Sequence, residues 1–177
     1  CIMIAGMNAY TLFHVLLSLV AILSGLVVLY GMFGSKRLPG WTQVFLWTTV
    51  ATTVTGFGFP FNGFTPAIGT GIVSSVILAF TIVALYGKRL VGSWRRVYVI
   101  SAVAALYLNV FVLIVQLFLK VPALNALAPQ GKEPPFAITQ GIALVLFIAA
   151  GFLAVKRFFP AGIVATTPAV SLQQRMP

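Results

Sequence analysis

Apolar residues fall along this chain in long blocks, and the blocks are separated by short clusters of proline, glycine and basic residues. A helix needs about 20 apolar residues to cross a hydrocarbon layer. Five blocks meet or approach that length: residues 10–33, 41–59, 67–86, 97–119 and 136–158. Pro39-Gly40 closes the first connection, Pro60 and Pro66 bracket the second, and Pro122, Pro129, Pro134 and Pro135 fill the longest. Proline and glycine interrupt helices for steric and entropic reasons, so these clusters predict the connections. The second block carries Thr48, Thr49, Thr52, Thr53 and Thr55, and ends in Gly56-Phe57-Gly58-Phe59-Pro60. That ending predicts a helix that unwinds at the membrane surface. The first block is too long, and too uncharged at its start, for a cleaved signal peptide.

Within the blocks, small and polar residues recur at spacings of three and four. Helices in lipid associate through close approach of small residues and a few hydrogen bonds, so such stripes predict the packed faces. The stripes are His14, Ser18, Ala21 and Gly25; Gly71, Ser75 and Ala79; Ser101, Ala105, Asn109, Gln116 and Lys120; and Ala143, Ala150 and Ala154. The expected fold class is an all-α integral membrane protein, an antiparallel bundle of five transmembrane helices. A short outer segment, residues 1–9, precedes the bundle at 10–158, and a tail follows at 159–177.

Composition points to the same solvent. Hydrophobic residues make up 60% of the chain, charged residues 7%, and the mean hydropathy is +1.09. Soluble domains average about 25% charged residues. The net charge of +10 is placed in connections, so it reads as a topology signal and excludes nucleic acid as the expected partner. Lys36 and Arg37 occupy the first connection, Lys88, Arg89, Arg95 and Arg96 the third, and Lys156 and Arg157 open the tail. The second connection is uncharged, and the fourth balances Lys120 and Lys132 with Glu133, the single acidic residue. Cationic connections stay in the cytoplasm. The expected orientation therefore has the N-terminus outside and the C-terminus cytoplasmic, in a bacterial-type inner membrane. A four-span reading puts Lys156 and Arg157 on the wrong side. Tyr30, Trp41, Tyr86, Trp94 and Tyr98 fall near the inner interface, and Tyr10, Phe57, Phe59, Phe61, Phe64 and Phe136 near the outer one.

Much familiar chemistry is excluded by the residues themselves. One cysteine, Cys1, permits no intrachain disulfide and no CxxC motif. Without aspartate there is no Ser-His-Asp set, and one His, one Cys and one Glu make no metal cluster. No span holds a charged residue in its interior, so no proton relay is expected. Five spans do not divide into the equal repeats common in transporters. No catalytic residue is expected, and the chain is read as a non-enzyme.

What remains is a polar layer in the outer third of the bundle. His14, Gln116, Lys120 and Gln140 are the candidate cofactor-binding residues, for a quinone or a lipid-like ligand between the first, fourth and fifth spans. The proline-rich connection 121–135 is expected to be stiff and extended, and to lie over this layer as a lid. A single histidine excludes bis-histidine haem within one chain, leaving haem only at a subunit interface. A purely structural role is also open to several of these polar residues. His14, Asn109 and Gln116 can bond neighbouring helices, and Lys120 can reach the headgroups. The leading function class is a non-catalytic accessory subunit of a larger membrane complex, respiratory or photosynthetic, with lipids and other integral membrane subunits as partners. The alternative is a quinone- or haem-associated redox protein, and a channel or transporter is a third class.

Overall fold

The computed structural model describes residues 3–4, 7–59, 66–131 and 133–160. The uncharged second connection, Lys132 and most of the tail, together with Phe61 and Phe64 of the expected outer aromatic belt, lie outside the described residues. The protein is a helical, multi-pass membrane protein. Its long helices are α1 (Ala9–Phe33), α2 (Pro39–Phe57), α3 (Pro66–Ile82), α4 (Trp94–Lys120) and α6 (Pro134–Arg157), with a short α5 (Pro122–Leu127) between the last two. A two-residue antiparallel pairing, β1 (Met3–Ile4) with β2 (Met7–Asn8), precedes α1. Four of the helical segments are long and apolar enough to cross a membrane: Ala9–Phe33, Ile68–Gly87, Trp94–Lys120 and Pro134–Arg157.

The prolines that mark the connections also start the helices. α2, α5 and α6 each carry proline in their first positions, where its missing N–H costs nothing and its fixed φ suits the helix. This is why the connection 121–135 is not extended throughout. Pro122 nucleates α5, and the Asn125 side chain donates to the carbonyl of Phe118 at 3.1 Å, seating α5 on the end of α4. α3 continues into a wider π-helical turn, Val83–Gly87.

α1 and α2 form a hairpin packed along its whole length. Tyr10 donates to the carbonyl of Thr55, Gly25 lies under the ring of Phe45, and Gly31 lies under Leu38. The register therefore runs antiparallel from one end of α1 to the other. Thr48, Thr53 and Thr55 of α2 turn their hydroxyls onto their own helix, donating to Val44, Thr49 and Ala51, whereas the buried Thr52 hydroxyl has no partner among the described residues. The outward face of α2 is apolar, with Trp41, Val44, Trp47 and Val54 all exposed.

α4 is the central helix, touching α1, α3, α5 and α6. The core lies toward one end of the bundle, where Val28, Leu29 and Met32 of α1 meet Phe45 and Leu46 of α2 and Tyr98, Val99, Ala102 and Leu106 of α4. Gly25 permits this crossing, because a methyl group there would come within 2.6 Å of Leu106 and 2.8 Å of Phe45. Two expected stripes fare differently. On α4, Ser101 and Ala105 are buried as expected, but Gln116 is exposed. On α3, Ser75 and Ala79 face outward, and the packed side is Leu78 and Thr81. Thr81 takes a packed position because its hydroxyl donates to the Ile77 carbonyl at 2.9 Å and leaves no unmet donor.

Candidate functional site

The residues of the expected outer polar layer are distributed over separate helix contacts. His14 sits between α1 and α2, its Nδ1 2.8 Å from Oγ1 of Thr55 and its ring edge-on to Phe59. The Thr55 hydroxyl also lies 2.7 Å from the Ala51 carbonyl of its own helix. Gln140 is buried at the contact of α6 with α4 and donates to the Phe111 carbonyl at 3.1 Å. Its Oε1 has no partner among the described residues. Gln116 and Lys120 are exposed on α4. Asn109 donates to Thr49 at 3.3 Å, linking α4 to α2. His14, Asn109 and Gln140 bond helices pairwise, each at a separate contact. Among the described residues no three His, Cys, Asp or Glu side chains are grouped as metal ligands.

Convergence occurs at the opposite, basic end. Arg95, in the first turn of α4, is only 7% exposed. Its Nη1 donates to the carbonyls of Val155 at 2.9 Å and Phe158 at 2.6 Å, and its guanidinium lies 3.9 Å from the centre of the Phe159 ring. The last carbonyls of a helix have no partner within it, and they form the negative end of its dipole. Arg95 thus caps α6 with a charge. The Phe159 N–H donates to Ser35 at 2.8 Å, which ties the exit of α6 to the α1–α2 turn.

Beside this cap lies a cavity of about 410 Å³, within the range of about 300–1,000 Å³ usual for small-ligand sites. Its apolar wall includes Val28, Met32, Leu85, Leu90 and Phe158, its phenols are Tyr86 and Tyr98, and its rim carries Lys36, Arg37 and Gln43. The local backbone is unusual there. Ser35, Arg89 and Leu90 all have positive φ (55°, 48° and 63°), which costs a branched side chain such as leucine about 1–2 kcal/mol. Leu90 is held in place by complete burial and by its N–H bond to the Ala84 carbonyl at 3.0 Å. The π-helical turn supplies Leu85 and Tyr86 to the same wall, and such turns are frequent at functional sites.

A second, wholly apolar groove runs between α4 and α6, along Val103, Tyr107, Phe147 and Gly151. Comparison of the chain with family models, with curated proteins and with solved structures finds no match.

By position in the sequence Arg95 counts only as a topology charge. Its signal was present: Arg95, Tyr98, Val99 and Ala102 stand at i, i+3, i+4 and i+7, the spacing of one buried helix face. The cavity has no comparable signal, because it joins residues 28–43, 85–90, 98 and 158.

Proposed function

We propose that this protein is a five-span membrane subunit, without catalysis of its own, that packs against other integral membrane proteins of a larger assembly. The carrying observation is α6. It is the least enclosed of the spans, 11% buried in its most apolar stretch, and it touches mainly α4. One strip of its free face presents the small residues Ala137, Gly141 and Ala149, with Val145 between the last two, all exposed. A methyl group at Gly141 would meet nothing within 4 Å. Lipid gives no reason to prefer small residues on an outward face, whereas a neighbouring helix approaches closely only where residues are small.

Support for five crossings comes from the basic end. The α1–α2 turn, the α3–α4 connection and the exit of α6 border one cavity. For α1, α3, α4 and α6 to bring those connections together, α2 must travel back through the layer. Its 19 residues reach about 28 Å, close to the hydrocarbon thickness of about 30 Å. Threonine lowers its average hydropathy, but hydroxyls bonded to the preceding turn have little left to lose in lipid. With cationic connections retained inside, the basic end faces the cytoplasm of a bacterial-type inner membrane.

The test is extraction in mild detergent, followed by a native gel and mass spectrometry of the band. The account expects this 18.9 kDa chain to migrate with other membrane subunits, and Gly141→Leu to release it. Migration of the wild-type chain alone, or with copies of itself only, overturns the subunit reading.

A further inference from the structure

The cavity at the basic end combines two chemistries that belong to one class of ligand. Its interior is apolar, and its rim carries Lys36 and Arg37, both exposed. The first turn of α2 opens onto the same rim at Leu38 and Pro39, and no side chain caps it. Its free N–H groups and the positive end of its dipole add to the two cations. No carboxylate side chain balances them locally. Glu133, the chain's only acidic residue, stands at the other end of α6, about 36 Å away along 24 residues. A ligand satisfying both parts has an anionic head and an apolar tail. We infer that this cavity binds one anionic phospholipid, with its phosphate between Lys36 and Arg37 and the start of an acyl chain against Leu85 and Tyr86.

Depth agrees with this assignment. Exposed Tyr30, Trp41 and Tyr86 surround this end of the bundle, and such rings settle at headgroup level. The rim is therefore where lipid phosphates lie, and the wall is where their chains begin. The inference concerns a lipid held by this chain alone, and it stands independently of any partner subunit.

The experiment is native mass spectrometry of the full chain, reconstituted in phosphatidylglycerol or in phosphatidylcholine and released from detergent in the gas phase. One phosphatidylglycerol should be retained per chain, and phosphatidylcholine should not. Lys36→Gln with Arg37→Gln should lower retention roughly tenfold or more. Lys156→Gln with Arg157→Gln, at the same end but off the cavity, should leave it unchanged. Equal retention of phosphatidylcholine overturns the proposal. So does equal loss in the Lys156/Arg157 variant, which would mean a diffuse charge effect. Displacement of the lipid by inorganic phosphate alone would reduce the site to an anion site and overturn the phospholipid assignment. Should the Lys36/Arg37 variant fail to accumulate, Gln43→Trp reads the same cavity by filling it: lost retention supports the proposal, and full retention overturns it.

Discussion

Arg95 and Phe158 are joined by a 2.6 Å hydrogen bond across 63 residues of sequence, from the guanidinium of one to the main-chain oxygen of the other. The bond locks the start of α4 to the end of α6. A cation in the first turn of a helix opposes that helix's own dipole, so Arg95 is poorly placed for α4 and well placed for α6. Hydrogen bonds to charged groups contribute about 1.5–3 kcal/mol. Arg95→Ala should therefore destabilise the bundle by about 2–4 kcal/mol and lower the unfolding midpoint in an SDS titration. Arg95→Lys should lie between, since one ammonium can reach the same carbonyls without covering Phe159. An unchanged midpoint for Arg95→Ala would remove the cap from the account.

Two glycines make a paired test of packing. Gly25→Ala forces a methyl group onto Leu106 and Phe45 and should cost about 1–3 kcal/mol. Gly141→Ala meets nothing within 4 Å and should leave the isolated chain unchanged, or stabilise it by up to about 1 kcal/mol. SDS unfolding of both variants checks the contrast, and equal effects would contradict the crossing of α1 with α2 and α4.

His14 is expected to act as a connector between helices. Interhelical hydrogen bonds in membranes average about 0.6 kcal/mol, so a double-mutant cycle of His14→Ala and Thr55→Val should give a coupling of that order. Zero coupling would mean that the 2.8 Å contact between His14 and Thr55 carries no energy.

Gln140 gives the opposite expectation. Its Oε1 is buried without a partner among the described residues, and the Phe111 carbonyl that its Nε2 bonds belongs to the interior of α4, so that carbonyl keeps its helical partner. Gln140→Leu removes an unmet acceptor and should change stability by less than about 0.5 kcal/mol in either direction, or raise it. A large loss would show that Gln140 serves something beyond the contact with α4.

The helices were legible in the sequence because lipid demands length and apolarity, and both are written residue by residue. The spans at 10–33, 97–119 and 136–158 match α1, α4 and α6 within a few residues. The packed side of α3 was only partly legible: Gly71 packs against Phe57 as its stripe predicts, but Ser75 and Ala79 face outward, while Thr81 hides its hydroxyl on Ile77 and packs. The first half of the long connection was misleading because Pro122 both ends α4 and starts α5. The candidate layer of His14, Gln116, Lys120 and Gln140 was read from shared depth. Depth does not fix the direction around each helix axis: His14 turns to Thr55, Gln140 turns to Phe111, and Gln116 and Lys120 are exposed. The basic-end cavity depends on three connections meeting, which only the folded chain displays.

The account rests on α2 crossing the membrane, and thiol labelling measures this directly. In a Cys1→Ser background, single cysteines at Gly34, Ser93 and Gln130, all exposed, report the three connections to a membrane-impermeant maleimide. Five crossings predict that Gly34→Cys and Ser93→Cys are protected together in intact spheroplasts, while Gln130→Cys is labelled. If α2 stays on one side, Gly34→Cys and Ser93→Cys report opposite faces, and that result would contradict the bundle described above.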